Sequence, residues 1–140
     1  MIMDAQLLAS DGQAITATAL STNAIDLGSG GRDLSRGEPV RAVARAMTAF
    51  AGGASIRVDL VESDNPDLSG SSVIFTGPTT TTGAALAGAS LFDAPVPKTS
   101  KRYVGFNYAV TSGPMTAGSV TSGLVLESDS GAVFPAYTGR

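Results

Sequence analysis

Four side chains with oxygen donors fall within one short stretch: Glu62, Asp64, Asn65 and Asp67. Carboxylates and an amide set this close are the ligand types that a hard cation such as calcium takes. Paired carboxylates are also what a glycosidase uses, one as acid and one as base or nucleophile. The pattern fits neither chemistry well. It lacks EF-hand spacing, and Asp-Asn-Pro-Asp is ordinary turn composition, because Asn and Asp bond their own backbone. The expectation is a polar turn without a metal, in a chain that is not an enzyme. A second candidate, Gly28-Ser29-Gly30-Gly31-Arg32-Asp33, is rich in glycine like a phosphate-cradling loop. No Gly-Lys-Ser/Thr follows it and no βαβ context surrounds it, so it reads as a surface loop.

What the chain lacks narrows the chemistry further. It has no Cys and no His. Thiolate chemistry, disulfides and the commonest general base and transition-metal ligand are thereby excluded. No Trp and only 6% aromatic residues argue against a stacking platform for sugars or bases. The net charge is -3, and the richest basic stretch, Lys98 to Arg102, is short. A nucleic-acid binder needs a basic stripe that is absent here, so no nucleic-acid partner and no cofactor are expected. The opening Met-Ile-Met-Asp-Ala-Gln-Leu-Leu lacks the basic start and long apolar run of a signal peptide. No run approaches the ~20 apolar residues of a membrane span. The expectation is a soluble chain made in the cytoplasm, with no membrane partner.

The elements that would position these residues are strands. Arg102 to Thr111 alternates, with Val104, Phe106, Tyr108 and Val110 on one face and Tyr103, Gly105, Asn107 and Ala109 on the other. A following run puts Val120, Leu124 and Leu126 on one face, after a break at Ser112-Gly113-Pro114. Such period-2 patterns mark half-buried strands, and the two runs read as one long hairpin. Ala54 to Glu62 is a further strand through Ile56, Val58 and Leu60. Val73 to Phe75 reads as a short buried strand, Thr79 to Gly83 as a loop, and Ala84 to Phe92 as a weak strand ended by Pro95 and Pro97. Ala14 to Leu20 and Ala24 to Leu27 are shorter candidates. Glu38 to Gly53 fits two templates: a helix starting at Glu38-Pro39 and stopping at Gly52-Gly53, or a strand with Val40, Ala42, Ala44 and Ala46 on one side. The sum is an all-β chain, a jelly-roll or β-sandwich of about eight strands, in a single domain over residues 1–140. Residues 1–13 read as an N-terminal arm or first strand, and residues 128–140 as a tail. The expected core is Ile56, Val58, Leu60, Phe75, Val104, Phe106, Val110, Val120, Leu124 and Leu126.

Charged residues make up only 15% of the chain, against roughly 25% in ordinary soluble domains. A surface so poor in charge resists association badly when bare. It is expected to be partly covered in use and to self-associate, as a dimer ahead of a trimer. Arg41 and Arg45 share a face if their segment is a strand. They would pair with Asp59 across the sheet or with carboxylates on a partner, the plain alternative being solvated arginines. Tyr103 and Asn107 are either a second buried layer or a contact surface. The two ends carry apolar residues: Met1, Ile2, Met3 and Leu7 around Asp4, and Phe134 and Tyr137 in the tail. Such residues serve a docking terminus better than a free one. Together with Arg41 and Arg45 they form the candidate interface to a partner or a second subunit.

Several segments in series resemble one family. They are Met1-Ile2-Met3-Asp4-Ala5-Gln6, Ser10-Asp11-Gly12-Gln13-Ala14-Ile15-Thr16, Ser21-Thr22-Asn23 leading into Ile25-Asp26-Leu27-Gly28, Arg32-Asp33 and Gly37-Glu38-Pro39. Pro95-Val96-Pro97, Arg102-Tyr103, Asn107-Tyr108, Thr116-Ala117-Gly118 and Leu124-Val125-Leu126 continue the pattern. Across residues 1–127 the chain resembles the capsid cement, or decoration, proteins of the Bordetella-phage type. The resemblance implies a jelly roll without enzymatic activity, on the exterior of a virion. It implies binding to the outer surface of the phage head, with the major capsid protein as partner, stapling neighbouring subunits. It also implies a strand over the segment with two templates, although Ala42, Ala44 and Ala46 stand where bulkier β-branched residues are usual. The competing reading is a carbohydrate-binding or adhesin-type β-sandwich module.

Overall fold

The computed structural model describes residues 3–28, 32–34, 37 and 39–126. A 3₁₀ turn at Ala5–Leu7 precedes nine strands: β1 (Leu8–Ala14), β2 (Ala19–Leu20), β3 (Ile25–Asp26), β4 (Val40–Ala51), β5 (Ser55–Ser63), β6 (Ser72–Thr81), β7 (Ser90–Pro95), β8 (Tyr103–Thr111) and β9 (Ala117–Leu126). They form two antiparallel sheets. One has the order β1-β9-β4-β7 and the other β2-β8-β5-β6, with β3 also pairing β8. β2 and β3 together act as one interrupted strand along β8, Ala19 opposite Tyr108 and Ile25 opposite Val104. Counted that way there are eight strands, four per sheet, wound as a jelly roll.

Between the sheets lies one apolar core, holding Ile56, Val58 and Leu60 from β5, Val104, Phe106 and Tyr108 from β8, Val120 and Leu124 from β9, and Phe92 from β7. The alternation read from the sequence for β5 and β8 is therefore the inward face of one sheet. Phe92 links the aromatic residues, edge-on to Phe75 at 5.5 Å and to Phe106 at 6.0 Å, a geometry that ring quadrupoles favour.

The segment with two templates is the strand β4. Local propensity favours a helix for Val-Arg-Ala-Val-Ala-Arg-Ala, but β9 and β7 pair with both of its edges. Ala42, Ala44 and Ala46 face inward and are fully buried. All three belong to the same core as the rings of Phe92, Phe106 and Tyr108.

Several sequence expectations are corrected. β8 and β9 are not a hairpin. Their connection crosses from one sheet to the other, and β9 pairs instead with β1 and β4. A turn signal flanked by two strands does not say whether the strands share a sheet. Val73 to Phe75 is not a short buried strand but part of the ten-residue β6, which continues through Thr79, Thr80 and Thr81. β6 is the edge of its sheet, so Phe75 is 39% exposed although its ring reaches Phe92. Leu126, at the end of β9, is 44% exposed, and Val110 is half-buried. Ala84 to Phe92 is mostly connection, with β7 starting at Ser90 and running into Pro95. Of Ala14 to Leu20 only its ends are in strands; Ile15 is nonetheless buried. The N-terminal arm is a strand from Leu8 onward, on the edge of the first sheet.

Candidate interaction surfaces

The four-residue oxygen cluster comes apart in space. Glu62 lies at the end of β5 and is 6% exposed. Its carboxylate accepts from the Ser100 amide (2.8 Å), the Ser100 hydroxyl (2.7 Å) and the Lys101 amide (3.3 Å). Burial pushes its pKa up, but the bonds from Ser100 and Lys101, helped by the Lys101 charge, outweigh burial and hold it below the usual range. Glu62 therefore fastens the 98–101 connection to the sheet. Asp67 accepts from the Ser69 amide at 3.0 Å, and the Asn65 side chain donates to the Ser69 carbonyl at 3.1 Å. Glu62, Asn65 and Asp67 thus each serve the turn or a neighbouring loop.

That turn folds back over its own sheet. Leu68 takes a left-handed conformation (φ 61°) and is 1% exposed. Its side chain lies over Gly105, where a Cβ would strike the Leu68 methyl and crowd the Ser21 hydroxyl. The outer face of β8 is thus partly a second buried layer, with Tyr103 and Asn107 half-buried beside Gly105.

The arginines have separate partners. Arg41 Nε donates to Asp93 of β7 at 2.7 Å, and Arg45 reaches the Gly88 carbonyl at 3.3 Å. Neither meets Asp59, which lies in the other sheet. Asp59 is 1% exposed and is bonded by Arg57, two residues away on the same strand, at 2.9 Å. A residue two positions along a strand shares its face, so Arg57 was the nearer partner. Arg102 pairs with Asp26 through two bonds of 2.8 Å. Those bonds, with one from the Gly28 amide, lower the Asp26 pKa to about 2.

The other candidate interface residues divide by position. Asp4 caps the 3₁₀ turn by accepting from the Gln6 amide at 2.8 Å. Met3 is half-buried. Leu7, also half-buried, packs against the domain's own core, and its carbonyl crosses Gly123, where a Cβ would strike it. Met1, Ile2, Phe134 and Tyr137 lie outside the described residues.

Two features escaped sequence reading. The first is a polar network inside the core. The Tyr108 hydroxyl bridges the sheets, 2.7 Å from the Ser10 hydroxyl and 2.6 Å from that of Ser122. Ser10 in turn donates to Gln13 Oε1 at 2.6 Å. Burial pushes the Tyr108 pKa up to about 12, against the pull of its bonds to Ser10 and Ser122. The available signal was a serine at an inward position of β9, between Val120 and Leu124. The second is a set of exposed apolar side chains: Met47, Val73, Phe75, Leu86 and Leu126. A shallow, open depression of about 480 Å³ lies between Ala17, Thr18, Val110, Gly113 and Pro114.

The Bbp16 family matches residues 9–124, which takes in all but the first residue of β1 and the last two of β9. The chain belongs to the Bbp16 family. This is a Bordetella phage protein family, and membership together with the all-β fold supports a phage structural protein. No curated protein matches the chain. The Bbp16 match spans both sheets and the Tyr108 network and stops short of the tail.

Proposed function

We propose that this Bbp16-family chain is a capsid cement protein. It binds the outer surface of the phage head and staples neighbouring major capsid protein subunits. The observation that carries this reading is the family match over residues 9–124, on a jelly roll whose buried polar side chains among the described residues are all hydrogen-bonded within the fold. Glu62, Asp59, Asp26 and Tyr108 are committed to loops, strands or the opposite sheet. A chain so arranged acts by its surface, and we assign it no enzymatic reaction. Many weak contacts repeated over one shell sum through effective concentration. We further assign it to the exterior of the virion, with self-association as a dimer ahead of a trimer.

The test is direct. The chain and the major capsid protein of the same phage are expressed separately, and assembled heads are mixed with the free protein and sedimented. Near-stoichiometric cosedimentation, with added density on the outer surface in electron micrographs, is the expected result. Heads that sediment without the protein at saturating concentration overturn the reading. A glycan array run in parallel distinguishes the adhesin alternative. Among the described residues that alternative has little aromatic surface to draw on, because Phe92, Phe106 and Tyr108 are buried.

A further inference from the structure

The two long sides of the sandwich are closed by different chemistry. On the β6/β7 side the seal is aromatic: Phe75 against Phe92, and Phe92 against Phe106. Gly77 passes so close to Phe92 and the Val58 carbonyl that a Cβ would strike both. On the β1 side the ties are polar. The Gln13 side chain donates to the Leu20 carbonyl (2.9 Å) and accepts from the Thr22 amide (3.0 Å). The Asn23 amide donates to the Ala9 carbonyl at 2.9 Å.

β1 is also weakly built along its length. Only Ala9 and Ser10 of its seven residues are buried, whereas β5 buries all but Arg57. Its ladder to β9 slips twice, between Leu8 and Ser10 and between Ser10 and Gln13. In the second slip the Gly12 amide donates to the Thr121 hydroxyl at 2.9 Å, with Gly12 at φ 59°. Lifting β1 away exposes the Ala9 methyl, the half-buried Leu7 and Leu8, and hydroxyl and amide groups that water satisfies. Elements with little buried apolar area open below the global unfolding free energy.

We propose that β1 is a releasable strap. Residues 8–14 detach from β9 as a unit while the other strands stay folded. The anchor that stops the peeling is Ile15, which is 1% exposed and whose amide donates to the Gly118 carbonyl at 3.1 Å. The opened form leaves β9 with a free edge and the Tyr108 hydroxyl in contact with water.

Native-state hydrogen exchange of the full chain, followed through rising sub-denaturing urea, tests this. The β1 amides bonded to β9 are expected to exchange at least 100-fold faster than those of Ile56–Val61 and Val104–Tyr108, with rates nearly independent of urea. Phe75 lies on the opposite side of the sandwich, against Phe92, and keeps its contacts when β1 opens. Phe75→Ala should therefore speed the β5 and β8 amides while the β1 rates change less than about twofold. If the β1 amides of the unaltered chain share the rate and urea dependence of β5 and β8, β1 opens only with the whole domain and the proposal is overturned. If Phe75→Ala speeds the β1 amides in step with those of β5 and β8, β1 does not open on its own, and the proposal is likewise overturned.

Discussion

Tyr108 shows most clearly how one side chain ties the two sheets. Its hydroxyl is held between Ser10 and Ser122 in a site closed to solvent. Removing the hydroxyl leaves two buried serines short of a partner, which typically costs about 1–3 kcal/mol. Tyr108→Phe should therefore lower the unfolding free energy by an amount in that range, read as a lower urea midpoint with the slope unchanged. The same residue sets an alkaline limit. An unperturbed tyrosine titrates near pH 10, and Tyr108 is pushed up to about 12 in the fold. The folded state keeps the proton longer, so this contribution is full below about pH 10 and is lost as pH rises toward 12. The Tyr108→Phe protein should show a shallower loss of stability over that window, measured by urea titration at stepped pH. Glu62 behaves in the opposite sense. Its folded pKa is lowered, so its contribution is present above the ordinary carboxylate range and is lost as pH falls through that range. Phe106 and Phe75 offer a further contrast. Phe106 is fully buried, and Phe106→Ala should cost roughly 3–5 kcal/mol. Phe75 is 39% exposed at the sheet edge, so Phe75→Ala should cost less than half as much. Equal losses in chemical denaturation would show that β6 is covered on its open side.

At the scale of elements, the alanines of β4 carry the most specific expectation. Ala42, Ala44 and Ala46 are fully buried, in a strand paired on both sides. β-branched residues suit strands in general, yet there is no room at these positions for two further methyl groups. Ala44→Val should therefore destabilise by about 1–3 kcal/mol through overpacking. Ala49→Val, on a half-buried position of the same strand, should change stability by less than about 0.5 kcal/mol. Thermal denaturation of the pair tells packing from propensity. The same strand shows what the sequence could and could not say. Period-2 alternation made β5 and β8 legible, with the inward residues of both named correctly, because half-buried strands write their faces into hydropathy. For β4 the alanine-rich pattern fitted helix and strand alike, and pairing with β7 and β9 decided between them. The partner of a strand is a long-range fact. Nothing near Ser112-Gly113-Pro114 records that the chain there crosses to the other sheet. For the same reason β6 was misjudged: Val-Ile-Phe looks like core, but an edge position leaves Val73 and Phe75 partly in solvent. Of the candidate interface, neither the turn cap nor the salt-bridge partners were legible: Asp4 stands in a segment that reads as an arm or first strand, and Arg41 finds Asp93 fifty-two residues away.

At the scale of the whole molecule, the argument turns on how little charge is left to act outward. The chain has only 9 basic and 12 acidic residues. Arg41, Arg57 and Arg102 are each engaged with an aspartate of the same chain. The exposed Arg102–Asp26 pair contributes little to stability, but all three pairs leave fewer charges for a second protein. Exposed apolar side chains are present on strand, edge and loop, at Met47, Val73, Phe75, Leu86 and Leu126. Attachment to a shell would then rest on apolar and backbone contacts. The Debye length falls to about 4 Å at 0.5 M salt, which screens exposed charges from one another, whereas apolar burial is not weakened by salt in this way. Decorated heads washed in 0.5 M sodium chloride should keep this protein at the occupancy they have in 0.1 M. Release by salt alone would move the attachment to charged groups. Arg41→Ala and Arg45→Ala heads would then be the next to compare, because these two arginines stand on the outer face of β4 and bind only their own chain's Asp93 and Gly88 among the bonds described. Sedimentation of the free protein completes the argument. A dimer whose dissociation constant is insensitive to the same change in salt fits a surface that associates through its apolar side chains. A strict monomer at high concentration would restrict assembly to the shell itself.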